Sequence, residues 1–397
     1  MSLDSTAKRL GEGKRIELEN GEVVFKLDSF SANPVVKPQD LGLTRQEKGK
    51  LKIGAVFNGG AEIFQNGIIL TPRCHKGYRK SKYFDRKQGV HRYRFHDYIS
   101  EIWPLESEDG VHFKRFHGVM IKGDGSKHKD FIYGIEDIRI IKHDRTYLLV
   151  GCGKRIPPFK GLGGDRTAIY STKDFVRIDY HGIIEFFDSR NLIPFPESVN
   201  GKLYIVWTSR AKGDPNIHLD FLRMGMDQLL HPSKYPKYWK KIHSRRSKNL
   251  LLKAGTFSHE REKIGSGTQL IKTDEGWLFI YHGVGLINSE ICKYYGLHQK
   301  IERGYSICAA LLDLDDPRRV ICRTRNPIFI PSAPYEFKGD AKYPIDVPGV
   351  VFPTGAVIVK DKLLIYCGVG DKYVSLLGCD LHNLIDYLID HCKSDLY

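Results

Sequence analysis

The chain predicts an all-β fold, a β-propeller with a short C-terminal helix. Three observations carry this. Short runs of Val, Ile, Leu, Tyr and Phe, bounded by Gly, Asn, Asp or Lys, recur from end to end, as half-buried strands between turns do. These runs read as hairpins through short polar turns. Helical periodicity is scarce. In order, the hairpins are EIFQNGIIL (62–70), IRIIKHDRTYLLV (138–150), GKLYIVWT (201–208), TQLIKTDEGWLFIY (268–281) and AVIVKDKLLIY (356–366), with turns QNG, KHDR, TDEG and KDK. A second echo joins SEDGVHFKRF (107–116) to STKDFVRIDY (171–180): a Ser, an acidic turn, a Phe, then a basic residue. One hairpin plus one further strand pair makes a four-stranded unit. About five such units fit the chain, as radial repetition requires.

Helix is expected in two places. Leu381, Leu384, Ile385, Leu388 and Ile389 fall on one helical face, with Asp380 as the N-cap. A shorter helix is expected within 221–230, ending before Pro232. The expected organisation is one catalytic domain over 1–397, with the propeller at about 45–378 and the helix of 379–397 packed on it. Segments at about 74–98, 211–259 and 286–303 look like insertions between strands.

The composition is that of a globular protein. Of 397 residues, 41% are hydrophobic and 27% charged, which argues against bulk disorder. No run of about 18 apolar residues is present, so no membrane helix is expected. The polar N-terminus lacks the apolar stretch of a secretory signal. Eight scattered cysteines without a CxxC pair read as buried free thiols in a reducing cytoplasm; neither a disulfide scaffold nor a zinc site is expected.

The net charge of +15 is local. Residues 73–94 hold nine Lys and Arg against one Asp, and residues 228–259 hold eight against no acid. The rest of the chain is about neutral. These stretches read as solvated loops or a subunit interface, which leaves a homo-oligomer open. Their Tyr235, Tyr238 and Trp239 also resemble a nucleic-acid surface, the less favoured reading.

The sharpest chemical motif is GIEDIR (134–139). A carboxyl in an enclosed site can act as general acid. On a strand, Glu136 and Asp137 point to opposite faces, so one at most is expected to face a site; a solvated turn paired with Arg139 is the plain alternative. EKIGSGT (262–268) offers Lys263 to an anion beside glycines that let a ligand come close, and His282 closes the strand WLFIYH. GLGGDR (161–166) reads as a loop, since it lacks the Lys-Ser/Thr of a phosphate cradle. Neither HExxH nor GxSxG occurs, and no metal is expected.

Six blocks in order resemble glycoside hydrolase family 130, the β-mannoside phosphorylases and their hydrolytic relatives. They are AVFNGGA (55–61) with Arg73, GIEDIRI (134–140), FFDSRNLIPFPESVNGKLYIVW (186–207), KIGSGTQLIKTDEGWLFIYHGV (263–284), YSICAALLDLDDPRRVICRTRNPIF (305–329) and VVFPTGAVIVKDKLLIYCGVGDKYVSLL (350–377). The resemblance spans about residues 50–390 and implies five blades around a sugar site. It implies Asp137 as the general acid, by way of a mannose hydroxyl. Asn58, Arg73 and Asp371 would bind the non-reducing mannose, and Tyr305 would line the site. Arg190, Lys263 and His282 would hold inorganic phosphate, the co-substrate; no other cofactor is implied. Phosphate needs fixed positive donors, whereas an inverting hydrolase needs a carboxylate base. The matched positions carry basic residues, which favours phosphorolysis of a β-1,2- or β-1,4-manno-oligosaccharide to α-mannose 1-phosphate, reversibly. The alternatives are a hydrolase or a mannosyltransferase on the same site, and last a non-catalytic glycan- or polyanion-binding propeller. The chain departs from the family pattern at Ile138, Asn191 and Gly370. A second family arginine falls on Thr208, with Arg210 the candidate to replace it.

Overall fold

Tight turns set where the strands reverse. Three of the expected hairpins close through two-residue turns, between Phe64 and Gly67, His143 and Thr146, and Val359 and Lys362. Gln65, Asp144 and Lys360 take positive φ there, at 53°, 52° and 55°, which matches the twist of the flanking strands. The TDEG turn joins Ile271–Lys272 to Trp277–Ile287. The run 201–208 differs from expectation. It holds one strand, Leu203–Ser209, which pairs with Ser189–Pro194 before it and Ile217–Leu222 after it. The computed structural model describes residues 2–86, 90–122, 131–156, 164–209 and 213–393.

Among the described residues the strands form six sheets of four or five strands and three two-stranded ribbons. Two sheets share the segment 55–122. One pairs Ala55–Phe57, Arg73–His75, Glu101–Ile102 and Ile121–Lys122; the other pairs Ala61–Phe64, Gly67–Leu70, Leu105–Ser107 and Lys114–Arg115. Ile135–His143 leads a third and Ser189–Pro194 a fourth. The fifth is centred on Trp277–Ile287 and Ile301–Leu312, with Lys263–Ser266 at its edge. The sixth runs Val351–Val359, Lys362–Val369, Tyr373–Asp380, and is completed by Asp28–Ser29 from the N-terminal segment.

The expectation of an all-β, five-bladed propeller is corrected on two counts. The described chain is mixed α/β, with six α-helices beside its strands. Its sheets are also open paths, not closed into a barrel or propeller. Hairpin counting misled for a physical reason. It registers one turn per strand pair, so it could not show that the first unit splits in two at Asn58-Gly59-Gly60, where Asn58 and Gly59 take positive φ. Nor does it register short helices inside the inserts.

The helices are Leu3–Arg9, Met226–Leu230, Pro236–Ser244, Ser289–Lys293, Pro334–Phe337 and Leu381–His391. The last forms where expected. The Asp380 side chain accepts from Asn383 N at 3.1 Å, and Leu384, Ile385 and Leu388 are buried. Of the expected 221–230 helix only Met226–Leu230 is helical; residues up to Leu222 are strand. Pro236–Ser244 explains part of the second basic stretch. It buries Trp239 and Ile242 while Lys237, Lys240 and Lys241 face outward, so this charge is the solvated side of an amphipathic helix. The first basic stretch forms the ribbon Arg79–Asp85 with Val90–His96. All eight cysteines are buried and free. No helix among the described residues is long and apolar enough to cross a membrane.

Candidate active site

Four short polar residues take left-handed backbone, two just past strand ends and two inside strands, and converge on one cavity. They are Asn58 (φ 47°), Asp137 (54°), Asn191 (53°) and Asp371 (51°). Asn and Asp tolerate that conformation better than other side-chain-bearing residues. The cavity measures about 390 Å³. Two of these residues sit at β-bulges, between Glu136 and Arg139 and between Arg190 and Ile193. A bulge re-aims side chains that strict alternation would separate.

That bulge changes the reading of the acid pair. Alternation allowed one carboxylate at the site, yet both Glu136 and Asp137 line the cavity. Arg73 Nη1 reaches Glu136 Oε1 at 2.7 Å and its Nε lies 3.5 Å from Asp137 Oδ1. Arg190 Nη2 pairs with Glu136 Oε2 and lies 3.5 Å from Asp137 Oδ2. Asn58 Nδ2 donates to Asp137 Oδ1 at 2.7 Å. Arg139 is no surface ion-pair partner. It is fully buried and donates to the carbonyls of Asp137, Gly267 and Ser266 at 2.5, 2.8 and 3.2 Å, which clamps the bulge to the neighbouring sheet. Burial pushes the Asp137 carboxyl up, but Arg73, Arg190 and Arg139, with Asn58, outweigh it and hold it well below the usual carboxylate range. Asp371 goes the other way. Burial, joined by Asp137, Asp346 and Glu136, overcomes Arg73 and raises it to about 7.

The opposite wall is basic and aromatic. Lys263 Nζ lies 5.0 Å over the Tyr305 ring, and the His282 ring stacks on Tyr305 with centroids 5.7 Å apart. Burial, with Lys263 and Arg139 nearby, drives His282 well below its ordinary pKa, so it is a neutral donor and not the cation expected from sequence. Burial raises the Tyr305 hydroxyl, but Lys263 and Arg303 override it and bring it below its ordinary value. Gly265 is fixed by this wall: a Cβ there would sit 2.4 Å from His282 Cε1.

A cavity with two carboxylates shared between arginines, facing lysine, histidine and tyrosine, suits a polyhydroxylated substrate and an anion together. The sequence profile of glycoside hydrolase family 130, described as beta-1,4-mannooligosaccharide phosphorylase, matches residues 28–390. The chain belongs to glycoside hydrolase family 130. It is 30% identical over 296 residues to the beta-1,2-mannobiose phosphorylase of Listeria innocua, covering 71% of this chain and 66% of that protein. It is 27% identical over 363 residues to a 1,2-beta-oligomannan phosphorylase of Thermoanaerobacter sp., covering 91% and 99%. The structure of the Listeria innocua beta-1,2-mannobiose phosphorylase with beta-1,2-mannobiose has a TM-score of 0.65 at 24% identity, over 91% of this chain and 99% of that one, a likeness of fold. Family 130 membership makes the chain an enzyme of the β-mannoside phosphorylase class, whose reaction releases mannose 1-phosphate.

All eight residues singled out from the sequence line this one family 130 cavity: Asn58, Arg73, Asp137, Arg190, Lys263, His282, Tyr305 and Asp371. Thr208 lines it as well, directly across the strand pair from Arg190. Arg210 and the first part of GLGG, 161–163, lie outside the described residues. Sequence reasoning missed Lys154, Tyr98, Arg303 and Phe352, and did not place Glu136 at the site. A signal for Lys154 existed: a lysine closing the apolar run of Thr146–Lys154, two residues beyond the buried Cys152.

Proposed function

We propose that the chain cleaves β-1,2-linked manno-oligosaccharides by inverting phosphorolysis, with Asp137 as the general acid. Asn58, Arg73 and Asp371 hold the non-reducing mannose against Tyr305, and Arg190, Lys263 and His282 receive phosphate. The observation that carries the reading is the charge layout of the cavity. Its carboxylates among the described residues are Glu136, Asp137 and Asp371, and Arg73 and Arg190 occupy the first two. None stands beside Lys263, where a hydrolase would keep a free base for water. Lys263 rests against Tyr305 and forms no ion pair among the described residues, and Arg190 meets Glu136 and Asp137 through Nη2, so both cations keep capacity for an anion. The named linkage of the Listeria innocua and Thermoanaerobacter relatives supports β-1,2.

A general acid must hold a proton, and the arginine field holds Asp137 ionised. A phosphate dianion at Arg190 and Lys263 offsets that field and lets Asp137 take up a proton, which it holds against a mannose hydroxyl. Phosphate oxygen then bonds to the anomeric carbon as the glycosidic C–O bond breaks. The leaving oxygen takes the proton relayed from Asp137 through that hydroxyl. Hydrogen phosphate loses its own proton on forming the ester, and that proton, returned through solvent, restores the one Asp137 gave, so the count closes. Eight buried free thiols support a reducing, cytoplasmic setting.

Initial rates on β-1,2- and β-1,4-mannobiose, with and without phosphate, test the proposal. The expected result is mannose 1-phosphate from the β-1,2 substrate only when phosphate is present. Free mannose without phosphate would make the chain a hydrolase and overturn the roles given to Arg190, Lys263 and His282.

A further inference from the structure

One face of the sheet led by Ile135–His143 carries a buried polar row. Glu136 stands opposite Cys152 in register, Cys152 opposite Thr167, and Lys154 opposite Asp165. Residues at i and i+2 share a face, so Lys154 and Asp165 lie on the same side as Glu136. Arg190 packs against that row from the next sheet. Its Nε lies 3.6 Å from Asp165 Oδ2, while the other Asp165 oxygen takes the Lys154 ammonium. Asp165 thus joins two cations, both of which line the cavity.

Three features distinguish this corner from an ordinary buried ion pair. The Lys154 ammonium has three protons, and Asp165 is its one side-chain partner among the described residues. Lys154 is only 7% exposed, yet it lines the cavity. In the same cavity, Thr208 Oγ1 and Asn191 Oδ1 are among the buried polar atoms without a hydrogen-bond partner. Orphaned buried polar atoms are rare, and a cluster of them asks for a ligand. Charge points to the ligand's sign. Arg73, Arg190, Lys154 and Lys263 face Glu136, Asp137 and Asp165, while burial raises the Asp371 carboxyl to about 7. The balance favours an anion.

We propose that Lys154 is a phosphate ligand of this cavity and that Asp165 is the positioning residue that aligns it with Arg190. The inference rests on the phosphorolysis reading and extends it to residues outside the sequence-predicted phosphate set. Thr208 offers its hydroxyl to the same anion.

The experiment varies phosphate and β-1,2-mannobiose separately for wild type, Lys154→Met, Lys154→Arg and Asp165→Asn. Lys154→Met is expected to raise KM for phosphate about ten- to hundred-fold, as loss of a charged hydrogen bond does, with KM for mannobiose within about twofold. Lys154→Arg is expected to recover most of the phosphate affinity, and Asp165→Asn to raise KM for phosphate in the same selective way. Removing Lys154 alone leaves the buried Asp165 with Arg190 but without its ammonium partner, so the double variant Lys154→Met, Asp165→Asn guards against misfolding and is expected to show the same selective loss. An unchanged phosphate KM in a folded Lys154→Met or double variant would overturn the inference alone. A wild type whose rate ignores phosphate would overturn the phosphorolysis reading beneath it.

Discussion

Replacing Asp371 by Asn should make the protein more stable at alkaline pH while disabling it. The Asp371 carboxyl is raised from 3.8 to about 7, first by burial and then by the neighbouring acids Asp137, Asp346 and Glu136, against the pull of Arg73. A carboxyl raised on folding is easiest to hold when protonated. Its contribution is therefore favourable below its unfolded pKa and is lost as pH rises through about 7. At about 1.4 kcal/mol per pH unit, ionising it in the fold costs up to about 4 kcal/mol at pH 8. About 1.5 kcal/mol of that is already present at pH 5. The difference between the two pH values is thus about 2.5 kcal/mol. Water reaching this half-buried carboxyl from the cavity screens part of it, leaving about 1–2 kcal/mol. Asn keeps the shape and removes the charge. Urea unfolding at pH 5 and pH 8 is expected to show Asp371→Asn gaining about 1–2 kcal/mol on wild type between the two, while mannoside turnover falls sharply. An equal stability difference at both pH values, or wild type gaining on the variant as pH rises, would refute the reasoning.

Other expectations follow from single contacts. Gly265→Ala places a methyl 2.4 Å from His282 Cε1, so the ring must move and KM for phosphate should rise; steady-state kinetics with phosphate varied read this directly. Gly368→Ala meets Asn58 Oδ1 at 1.8 Å, so kcat/KM for the mannoside should fall as Asn58 leaves Asp137. Arg323→Met strands Glu260, which it holds at 2.5 Å beside the Tyr281 hydroxyl in a fully buried network. Urea unfolding should show a loss of about 3–5 kcal/mol, with phosphate KM unchanged, since none of the three lines the cavity. His259 and Cys308 stand close enough to Glu260 to suggest a metal group, but Glu260 spends its oxygens on Arg323 and Tyr281.

Much of the site was legible because its chemistry sits in short ordered blocks. Asn58, Asp137, Arg190, Lys263, His282, Tyr305 and Asp371 each stand at a fixed place in a motif, and with Arg73 they meet in one cavity. What the blocks could not show was direction. The Glu136–Asp137 pair faces one cavity because of a bulge and a left-handed φ at Asp137, neither of which alternation predicts. Charge state was equally hidden, since His282 is neutral only because it is buried beside Lys263. In the fold, four hairpins and the C-terminal helix were readable from local periodicity and turn residues. The number of sheets was not, because strands as short as Glu101–Ile102 and Ile121–Lys122 carry almost no pattern. Pro236–Ser244 was masked by its own lysines, which read as a charged insertion until Trp239 and Ile242 are seen to be buried.

The most direct test of the account is the identity of the first product. Purified enzyme would be given β-1,2-mannobiose in phosphate buffer and followed by proton and phosphorus NMR from the first minutes. A single direct displacement by phosphate inverts the anomeric carbon, so the account predicts α-mannose 1-phosphate and free mannose in equal amounts from the start. Two equivalents of free mannose, or a β-phosphate, would contradict it.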